Sequence, residues 1–200
     1  MPTASRAKHK FCRRIGQCIW GDPKCPSAKK PYAAGPHGKG RRAKLSTYGE
    51  LLMEKQKLKN YYAISEKQLR IAYAKAKAGL GQTHEKLFRS LEQRLDAMVF
   101  RAGFAPTIFA AKQFVNHGHI LVDGKRIDRS SCQVKEGQVI SIDPAKSPAI
   151  AEIAKKSNAA IPPYLEVDLE NLKATLVRAP QLDEIPVSVK IMSVIEYYAR

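Results

Sequence analysis

Apolar side chains recur at every third or fourth position between residues 85 and 102, a spacing that places them on one face of a helix. Gly103 follows the last of them, and glycine commonly ends a helix. We therefore predict one amphipathic helix from about Glu85 to Ala102. Its core-facing stripe consists of Leu87, Leu91, Leu95, Met98, Val99 and Ala102.

A second helix and a tight hairpin are predicted next along the chain. The helix starts near Thr107, keeps the same apolar spacing and stops at Gly118. Asp123-Gly124 then separates two short strand-like runs, and this dipeptide suits a type I′ turn because both central positions need positive φ. Residues 139–142 predict a further strand. The expected order is helix, helix, hairpin and strand.

Two more helices are predicted between residues 45 and 82. Thr47 with Glu50, and Ser65 with Gln68, each have the spacing of a capping box at a helix start. Their apolar stripes are typical of a small helical core. The inward faces are predicted to be Leu51, Leu52, Leu58, Tyr61 and Tyr62, then Leu69, Ala72, Tyr73 and Ala76.

The pattern is weaker beyond Asp143. Residues 144–163 combine an alanine-rich helix candidate with proline breaks, and residues 164–168 alternate like a strand. Residues 187–191 predict another strand, and a short helix follows it at the end of the chain.

Charge is distributed unevenly along the 200 residues, which hold 35 Lys and Arg against 18 Asp and Glu for a net charge of +17. Residues 1–60 contain 15 basic and 3 acidic residues, whereas residues 156–200 contain 5 and 6. So concentrated a positive field favours a polyanion, since neutralised phosphates release condensed counterions. Membrane binding is the weaker alternative, because no apolar run approaches the length of a membrane-spanning helix.

Residues 1–44 form a basic N-terminal arm that is rich in proline and glycine and is not expected to pack a core alone. A disordered tail and an arm ordered by RNA are both open interpretations, and the second is favoured because an unpaired basic segment only repels itself. Trp20, Tyr32 and His37 could stack on splayed bases. The expected phosphate contacts are Arg13, Arg14, Lys29, Lys30, Lys39, Arg41, Arg42 and Lys44.

Three cysteines and one histidine in the arm form the pattern His-x2-Cys-x5-Cys-x6-Cys, namely His9, Cys12, Cys18 and Cys25. Zinc prefers four nitrogen or sulfur ligands, and one ion would order a segment that has no hydrophobic core. We predict one structural zinc ion here. Reduced, unligated thiols are the alternative, since disulfides are rare in reducing compartments.

Basic side chains outside the arm extend the expected RNA-binding surface. On the helices of residues 45–82 they are Lys55, Lys57, Lys59, Lys67 and Arg70, for which a solvated helix surface is an equally open interpretation. Helix ends and the hairpin could present a second set to the RNA backbone, where shape is recognised more than sequence. This set is Arg94, Arg101, Lys112, Gln113, His117, His119, Lys125 and Arg126.

Four segments resemble the RNA-binding module named after ribosomal protein S-four: LEQRLD at 91–96, AAKQFV at 110–115, HGHI at 117–120 and VDGKRI at 122–127. The module occurs in several kinds of RNA-binding protein, so the flanking segments decide between them. These are similar to the bacterial type of the small-subunit ribosomal protein S-four family at KLSTYG (44–49), EKQKLK (54–59), SEKQLR (65–70) and VIEYYAR (194–200). The chain is identified as a member of that family by a resemblance along essentially its whole length.

The resemblance implies an α+β protein made of four parts. A basic arm with the possible zinc site covers residues 1–44, and a helical domain covers residues 45–90 and is completed by residues 185–200. The RNA-binding module, two helices packed on a small antiparallel sheet, covers residues 91–155. Residues 156–200 extend the module and return to the helical domain.

The resemblance also implies a structural, primary rRNA-binding protein that nucleates small-subunit assembly on the 5′ domain of the rRNA. It implies a place beside the mRNA entry channel, near ribosomal proteins S-three and S-five, with a role in translational accuracy. A non-ribosomal RNA-binding factor that visits ribosomal particles is the alternative. The bacterial cytoplasm is expected because no apolar secretory segment follows Met1, with an organelle ribosome as the alternative.

An enzymatic function is not expected. Arg94-Leu95-Asp96 reproduces the triplet around the catalytic aspartate of pseudouridine synthases, but those enzymes need a separate catalytic domain that this chain has no room for. The sequence also lacks a glycine-rich phosphate loop, a Gly-x-Ser-x-Gly elbow and a His-Glu-x-x-His motif.

Overall fold

The computed structural model describes residues 9–40, 44–157 and 160–199. The chain divides into two compact units, Met1–Glu66 with Val187–Arg200 and Lys67–Pro186. The first unit therefore combines two segments that are far apart in the sequence. The four-part domain division expected from the sequence stays a prediction.

The described residues contain both helices and strands, which confirms the α+β prediction. The helices are α1 (Lys10–Ile15), α2 (Thr47–Tyr61), α3 (Glu66–Ala78), α4 (Thr83–Glu92), α5 (Leu95–Arg101), α6 (Ile108–Asn116), α7 (Pro148–Lys155) and α8 (Ile191–Ala199), with a short 3-10 helix at Leu182–Glu184. The strands are β1 (Ile120–Val122), β2 (Lys125–Arg126), β3 (Val139–Ile142), β4 (Leu165–Asp168) and β5 (Lys173–Leu176).

The second unit is built on a sheet of strand order β2-β1-β3-β5-β4, in which each pair of neighbours is antiparallel. Ile120 of β1 lies opposite Ile142 of β3, and Val122 lies opposite Ile140, so buried side chains meet on one face. Helices α5 and α6 pack against each other and contribute to the same core. Their buried side chains include Leu95, Met98, Ala111 and Val115.

The single helix predicted from Glu85 to Ala102 is wrong, because the chain is extended at Arg94 between α4 and α5. Arg94 forms an isolated antiparallel bridge with Gln133. The backbone N–H of Leu95 donates to the carbonyl of Cys132 over 2.8 Å. Pairing with this distant loop replaces helical hydrogen bonds, and the apolar spacing does not reveal it.

The predicted second helix and hairpin are confirmed. Thr107 caps α6, since its side chain accepts from the backbone N–H of Ala110, and Gly118 follows α6 with φ of +74°. At the hairpin turn, Asp123 and Gly124 have φ of +49° and +75°, as a type I′ turn requires. The Asp123 carboxylate also accepts from the backbone N–H of Val139 over 2.9 Å, which attaches the turn to β3.

Helices α2 and α8 pack against each other in the first unit. The capping box predicted from Thr47 to Glu50 is wrong, since Ser46 is the N-cap and its hydroxyl accepts from the N–H of Gly49 over 3.2 Å. Helix α3 begins at Glu66, directly after the second predicted cap, Ser65. Ser46 is the cap, and not Thr47, because Ser46 lies one residue earlier, where the backbone is still extended as an N-cap requires.

The strand predicted at residues 187–191 is also wrong. Residues 187–190 have no regular secondary structure, and Ile191 already begins α8. The backbone N–H of Lys190 donates to the carboxylate of Glu54 over 3.0 Å, so it joins α2 instead of a strand ladder. The predicted strand at residues 164–168, the alanine-rich helix and the final helix are confirmed as β4, α7 and α8.

Candidate metal site and nucleic-acid interface

The arm has defined local structure over residues 9–40, although its composition had indicated a segment that cannot pack alone. His9 precedes α1, and Gly16 ends this helix in the left-handed conformation. The Arg13 guanidinium donates to the carbonyls of Tyr32 and Ala33 over 3.2 and 3.4 Å and lies 5.1 Å from the centre of the Tyr32 ring. These contacts connect the two ends of the described arm.

The four predicted metal ligands are brought together in this arm. One potential ligand atom from each of His9, Cys12, Cys18 and Cys25 lies within 4.8 Å of the others. Cys12 and Cys25 are buried, and the Cys25 Sγ is 3.1 Å from the His9 Nδ1. This cluster could hold a metal ion.

The donor set fits a tetrahedral soft-ligand site. A zinc ion with Zn–S bonds of about 2.3 Å separates its sulfur ligands by only about 4 Å, close to the spacing found here. Burial raises the pKa of the Cys12 thiol to about 12, and the neighbouring thiols add to this rise. Burial raises the pKa of Cys25 too, but hydrogen bonds, led by those of Ser27, outweigh it and leave that pKa below its ordinary value.

Polar and aromatic groups surround the four ligands. The Ser27 hydroxyl lies 3.1 Å from the Cys25 Sγ, and the Asp22 carboxylate lies 3.7 Å from the His9 Nε2. Trp20 packs edge-on against His9 and donates its indole N–H to the carbonyl of Tyr61 over 3.2 Å, and its stacking on a base stays a prediction. Trp20 therefore connects the cluster to α2.

Most predicted phosphate contacts of the arm that the structure describes are exposed. The Lys39 ammonium lies 5.7 Å from the centre of the Tyr32 ring, which is itself only partly exposed. Arg13 is also partly buried by its contacts with Tyr32 and Ala33. Arg41 and Arg42 lie outside the described residues. The exposed phosphate contacts are Arg14, Lys29, Lys30, Lys39 and Lys44, and the predicted stacking residue His37 is exposed too.

The lysines of α2 are engaged in ion pairs, so their placement does not support an outer phosphate-binding surface. Lys55 is 4% exposed, and its ammonium lies 2.9 Å from Glu66 and 4.6 Å from the centre of the Tyr197 ring. Lys59 lies 3.8 Å from Glu66, and Lys57 pairs with Glu54. The structure places Lys67 and Arg70, the other two basic residues predicted here, at exposed positions.

Arg94 and Arg101 are buried within the second unit rather than presented to a ligand. Arg94 donates from Nε and Nη2 to the two carboxylate oxygens of Asp96 over 3.0 and 2.6 Å. Arg101 binds the fully buried Glu92 in the same two-pronged manner over 3.2 and 2.7 Å. Both arginines are therefore ion-pair partners within the fold.

Lys112 is half-buried near the first of these pairs. Burial lowers its pKa, the Asp96 charge opposes this shift, and the Arg94 charge adds to it. His119 is also half-buried, with its Nδ1 2.7 Å from the Ser147 hydroxyl. Lys112 and His119 are both less exposed than the hairpin residues Lys125 and Arg126.

The exposed members of the second set lie on α6 and at the hairpin. The Arg126 guanidinium donates to the carbonyl of His117 over 3.1 Å, which fixes β2 against the end of α6. This arrangement groups polar and basic side chains around the turn. They are Gln113, His117, Lys125 and Arg126.

Two side chains outside the predicted sets are also exposed, Arg129 just after the hairpin and Tyr48 at the start of α2, which is 54% exposed. Tyr48 contacts Tyr197 of α8, with a ring-centre distance of 5.7 Å. Nothing local indicated that Tyr48 would meet Tyr197.

Within the described ranges, no helix is long and apolar enough to cross a membrane.

Comparison with known proteins matches both parts of the chain to family models. Residues 4–92 match the ribosomal protein S4/S9 N-terminal domain, and residues 93–140 match the S4 domain. Proteins named small ribosomal subunit protein uS4 from Ruegeria sp. (strain TM1040), Ruegeria pomeroyi and Paracoccus denitrificans are each 46% identical to this chain. Each alignment covers 100% of this chain and 100% of its relative.

Proposed function

This chain belongs to the family of small ribosomal subunit protein uS4, of the bacterial type, and we propose that it is a structural rRNA-binding constituent of the small ribosomal subunit. In this role it binds the 5′ domain of the rRNA early and nucleates assembly. It holds RNA helices in one mutual geometry through its arm and its RNA-binding module.

The observation that carries this proposal is the exposed basic surface of a folded arm. Arg13 donates to the Tyr32 carbonyl across the arm, and the four potential metal ligands lie close together in it, while Lys29, Lys30 and Lys39 remain exposed. An ordered cationic segment loses less conformational entropy on binding a polyanion than a disordered tail does. The hairpin residues Lys125 and Arg126 supply a second exposed basic group within the matched S4 domain.

Filter binding to a 5′-domain rRNA transcript, across a salt series and with tRNA as competitor, tests the proposal. We expect the double variant Lys29→Ala/Lys30→Ala to bind more weakly than wild type and to show a shallower salt dependence, because fewer counterions are released. The matched control is Lys155→Ala/Lys156→Ala, which removes the same charge from two exposed positions, the last residue of α7 and the residue that follows it. Equal losses in both variants would refute a specific role for the arm.

The alternative is an RNA-binding factor that associates transiently with ribosomal particles. Stoichiometric retention on purified small subunits after a high-salt wash supports a structural constituent. Substoichiometric, salt-labile association, or equal affinity for tRNA and rRNA, supports the alternative.

We also propose that His9, Cys12, Cys18 and Cys25 hold one structural zinc ion. Three thiolates and one imidazole satisfy the ligand preference of zinc, and the ion would neutralise the charge of the buried thiolates. Metal analysis of protein purified without chelator is expected to find one zinc per chain. A zinc content near zero would leave the alternative of reduced, unligated thiols.

The proposed location of the protein in the ribosome is the one that membership of the family implies. We propose a location beside the mRNA entry channel, next to ribosomal proteins S-three and S-five, and an influence on translational accuracy. The near-neutral C-terminal quarter is the expected protein-contact surface. The cytoplasm of a bacterium is the proposed compartment, with an organelle ribosome as the alternative, and cross-linking within purified subunits tests the neighbours.

No enzymatic step is part of the proposal. Asp96, the carboxylate that corresponds to a catalytic aspartate in the Arg-Leu-Asp triplet, is 1% exposed and accepts two hydrogen bonds from Arg94. A substrate has no access to a carboxylate held in this way. This geometry supports a structural function for the triplet.

A further inference from the structure

Asp22 is held at a fixed distance from a metal ligand by its own backbone turn. Its Oδ1 accepts from the backbone N–H of Lys24 over 2.9 Å, and its carbonyl accepts from the N–H of Cys25 over 3.1 Å. The same turn therefore carries a ligand, Cys25, and directs the second carboxylate oxygen of Asp22 towards His9. The distance from Asp22 Oδ2 to His9 Nε2 is 3.7 Å.

The two nitrogens of His9 face different partners. Nδ1 lies 3.1 Å from the Cys25 Sγ, inside the cluster of ligand atoms, whereas Nε2 faces Asp22. Because Nδ1 points to the cluster, it is the nitrogen available to a metal. A neutral imidazole that coordinates through Nδ1 carries its proton on Nε2, next to the carboxylate.

The backbone and ring of His9 are fixed from two further sides. Its carbonyl accepts from the N–H of Arg13 over 3.0 Å, in the first turn of α1. Trp20 packs edge-on against the imidazole, with the ring centres 5.8 Å apart. The ring is therefore confined between the cysteine cluster, an indole and a carboxylate.

We propose that Asp22 is a positioning residue of the metal site, which orients the His9 ring and holds the proton on Nε2 so that Nδ1 binds the ion. This inference rests on the proposed zinc site. At 3.7 Å the carboxylate lies just beyond hydrogen-bond distance, so it would have to move a few tenths of an ångström closer to accept the Nε2 proton of the zinc-bound imidazole. Carboxylates that accept from the second nitrogen of a ligating histidine fix its orientation. A cysteine at position 9 would have no second nitrogen, so the contribution of Asp22 is specific to a histidine ligand.

Zinc competition against a chromophoric chelator, with the full-length protein, tests this inference. Asp22→Asn keeps the side-chain shape and an acceptor for the Lys24 N–H but removes the carboxylate charge. We expect it to weaken zinc binding by about 10- to 100-fold, the range typical of such outer partners. Glu50→Gln, at an exposed position of α2, is the matched control and should leave zinc affinity unchanged.

The same substitution in a His9→Cys background separates positioning from general attraction between a carboxylate and a cation. Positioning predicts no loss on adding Asp22→Asn to His9→Cys, whereas general attraction predicts an equal loss in both backgrounds and would overturn the inference. An unchanged affinity of the single Asp22→Asn variant would overturn it as well. Wild-type protein that binds no zinc would instead refute the zinc site itself.

Nitrogen-15 NMR of the zinc-loaded wild type supplies a readout that needs no variant. We expect His9 to be bound through Nδ1 with a proton on Nε2. A spectrum in which Nε2 binds the ion would overturn the inference even if zinc affinity were high.

Discussion

The Arg126 side chain lies directly over Gly118, in the space that a Cβ at this position would occupy. A Cβ at Gly118 would overlap the guanidinium of Arg126, and Gly118 also has φ of +74°, which side chains disfavour. Through this gap Arg126 reaches the carbonyl of His117 at the end of α6, where a cation is favoured by the helix dipole. One glycine thus serves both the end of the helix and the docking of β2.

Gly118→Ala is expected to lower the free energy of unfolding by about 1–2 kcal/mol through backbone strain, with a smaller added loss because the exposed Arg126 side chain must move aside and give up its hydrogen bond to His117. Chemical denaturation measures the loss. Gly81→Ala is the matched control, since Gly81 has φ of +94° but nothing within 4 Å of the added Cβ. In an Arg126→Ala background, Gly118→Ala should cost no more than Gly81→Ala does in the wild type, and a larger cost there would contradict the overlap with Arg126.

Glu92→Ala is expected to destabilise the second unit by about 3–5 kcal/mol, because it removes the carboxylate that pairs with the buried Arg101 charge. It also removes the acceptor of the Tyr164 hydroxyl, which lies 3.4 Å from Glu92. Glu152→Ala, which breaks the exposed pair with Lys156, should cost less than about 1 kcal/mol. Thermal unfolding measures the loss of stability in each variant. Similar losses would show that the buried ion pair contributes no more to stability than the exposed one.

The ionised Glu66 carboxylate makes the stability of the first unit depend on pH. Partial burial raises the pKa of Glu66, but hydrogen bonds from Lys55 and Tyr198 outweigh it and leave the pKa below its ordinary value. A lowered folded pKa means that the stabilisation is complete above the unfolded pKa and is lost as the pH falls through the folded pKa. The effect is expected to be below about 1 kcal/mol, because the side chain is 40% exposed.

Glu66→Gln should therefore destabilise the protein at pH 7 and lose that disadvantage under acid conditions. Unfolding curves of both proteins, recorded from pH 7 down to pH 3, measure the difference. The comparison cancels the acid response of other groups. A difference that stays constant over this range would contradict the role of the ionised carboxylate.

Two lysines with the same formal charge should differ in their effect on RNA binding. Lys125 is exposed at the hairpin, and its replacement by alanine is expected to weaken rRNA binding and to lower the salt slope by up to about 0.9, the contribution of one phosphate contact. Lys57 pairs with Glu54, so Lys57→Ala should leave the slope unchanged. Filter binding across a salt series measures the slope for each variant. Equal slopes for Lys125→Ala and Lys57→Ala would contradict the expected difference between the two lysines.

Local patterns predicted much of the second unit. Thr107, Gly118 and Asp123-Gly124 mark a helix start, a helix end and a turn by their own backbone preferences, and the structure confirms each of them. The break at Arg94 escaped prediction because its cause lies at Gln133, in a distant loop. The same holds for Lys190, whose backbone N–H binds Glu54 of α2.

The candidate sites show the same division. The spacing of His9, Cys12, Cys18 and Cys25 predicted a cluster that the structure brings together, because these ligands lie within one short segment. Composition could not separate exposed cations from paired ones, since the partners of Lys55 and Arg101 are set by tertiary packing. The contact of Asp22 with His9 was not predicted either, because composition shows Asp22 only as an acidic residue in a basic arm.

The packing of α2 against α8 sets an order for folding during synthesis. Helix α2 ends at residue 61 and α8 begins at residue 191, so α2 leaves the ribosome well before its packing partner exists. All residues of the second unit are synthesised in the interval, and that unit contains its own core. The second unit of a nascent chain can therefore fold before α8 has been synthesised to pack against α2.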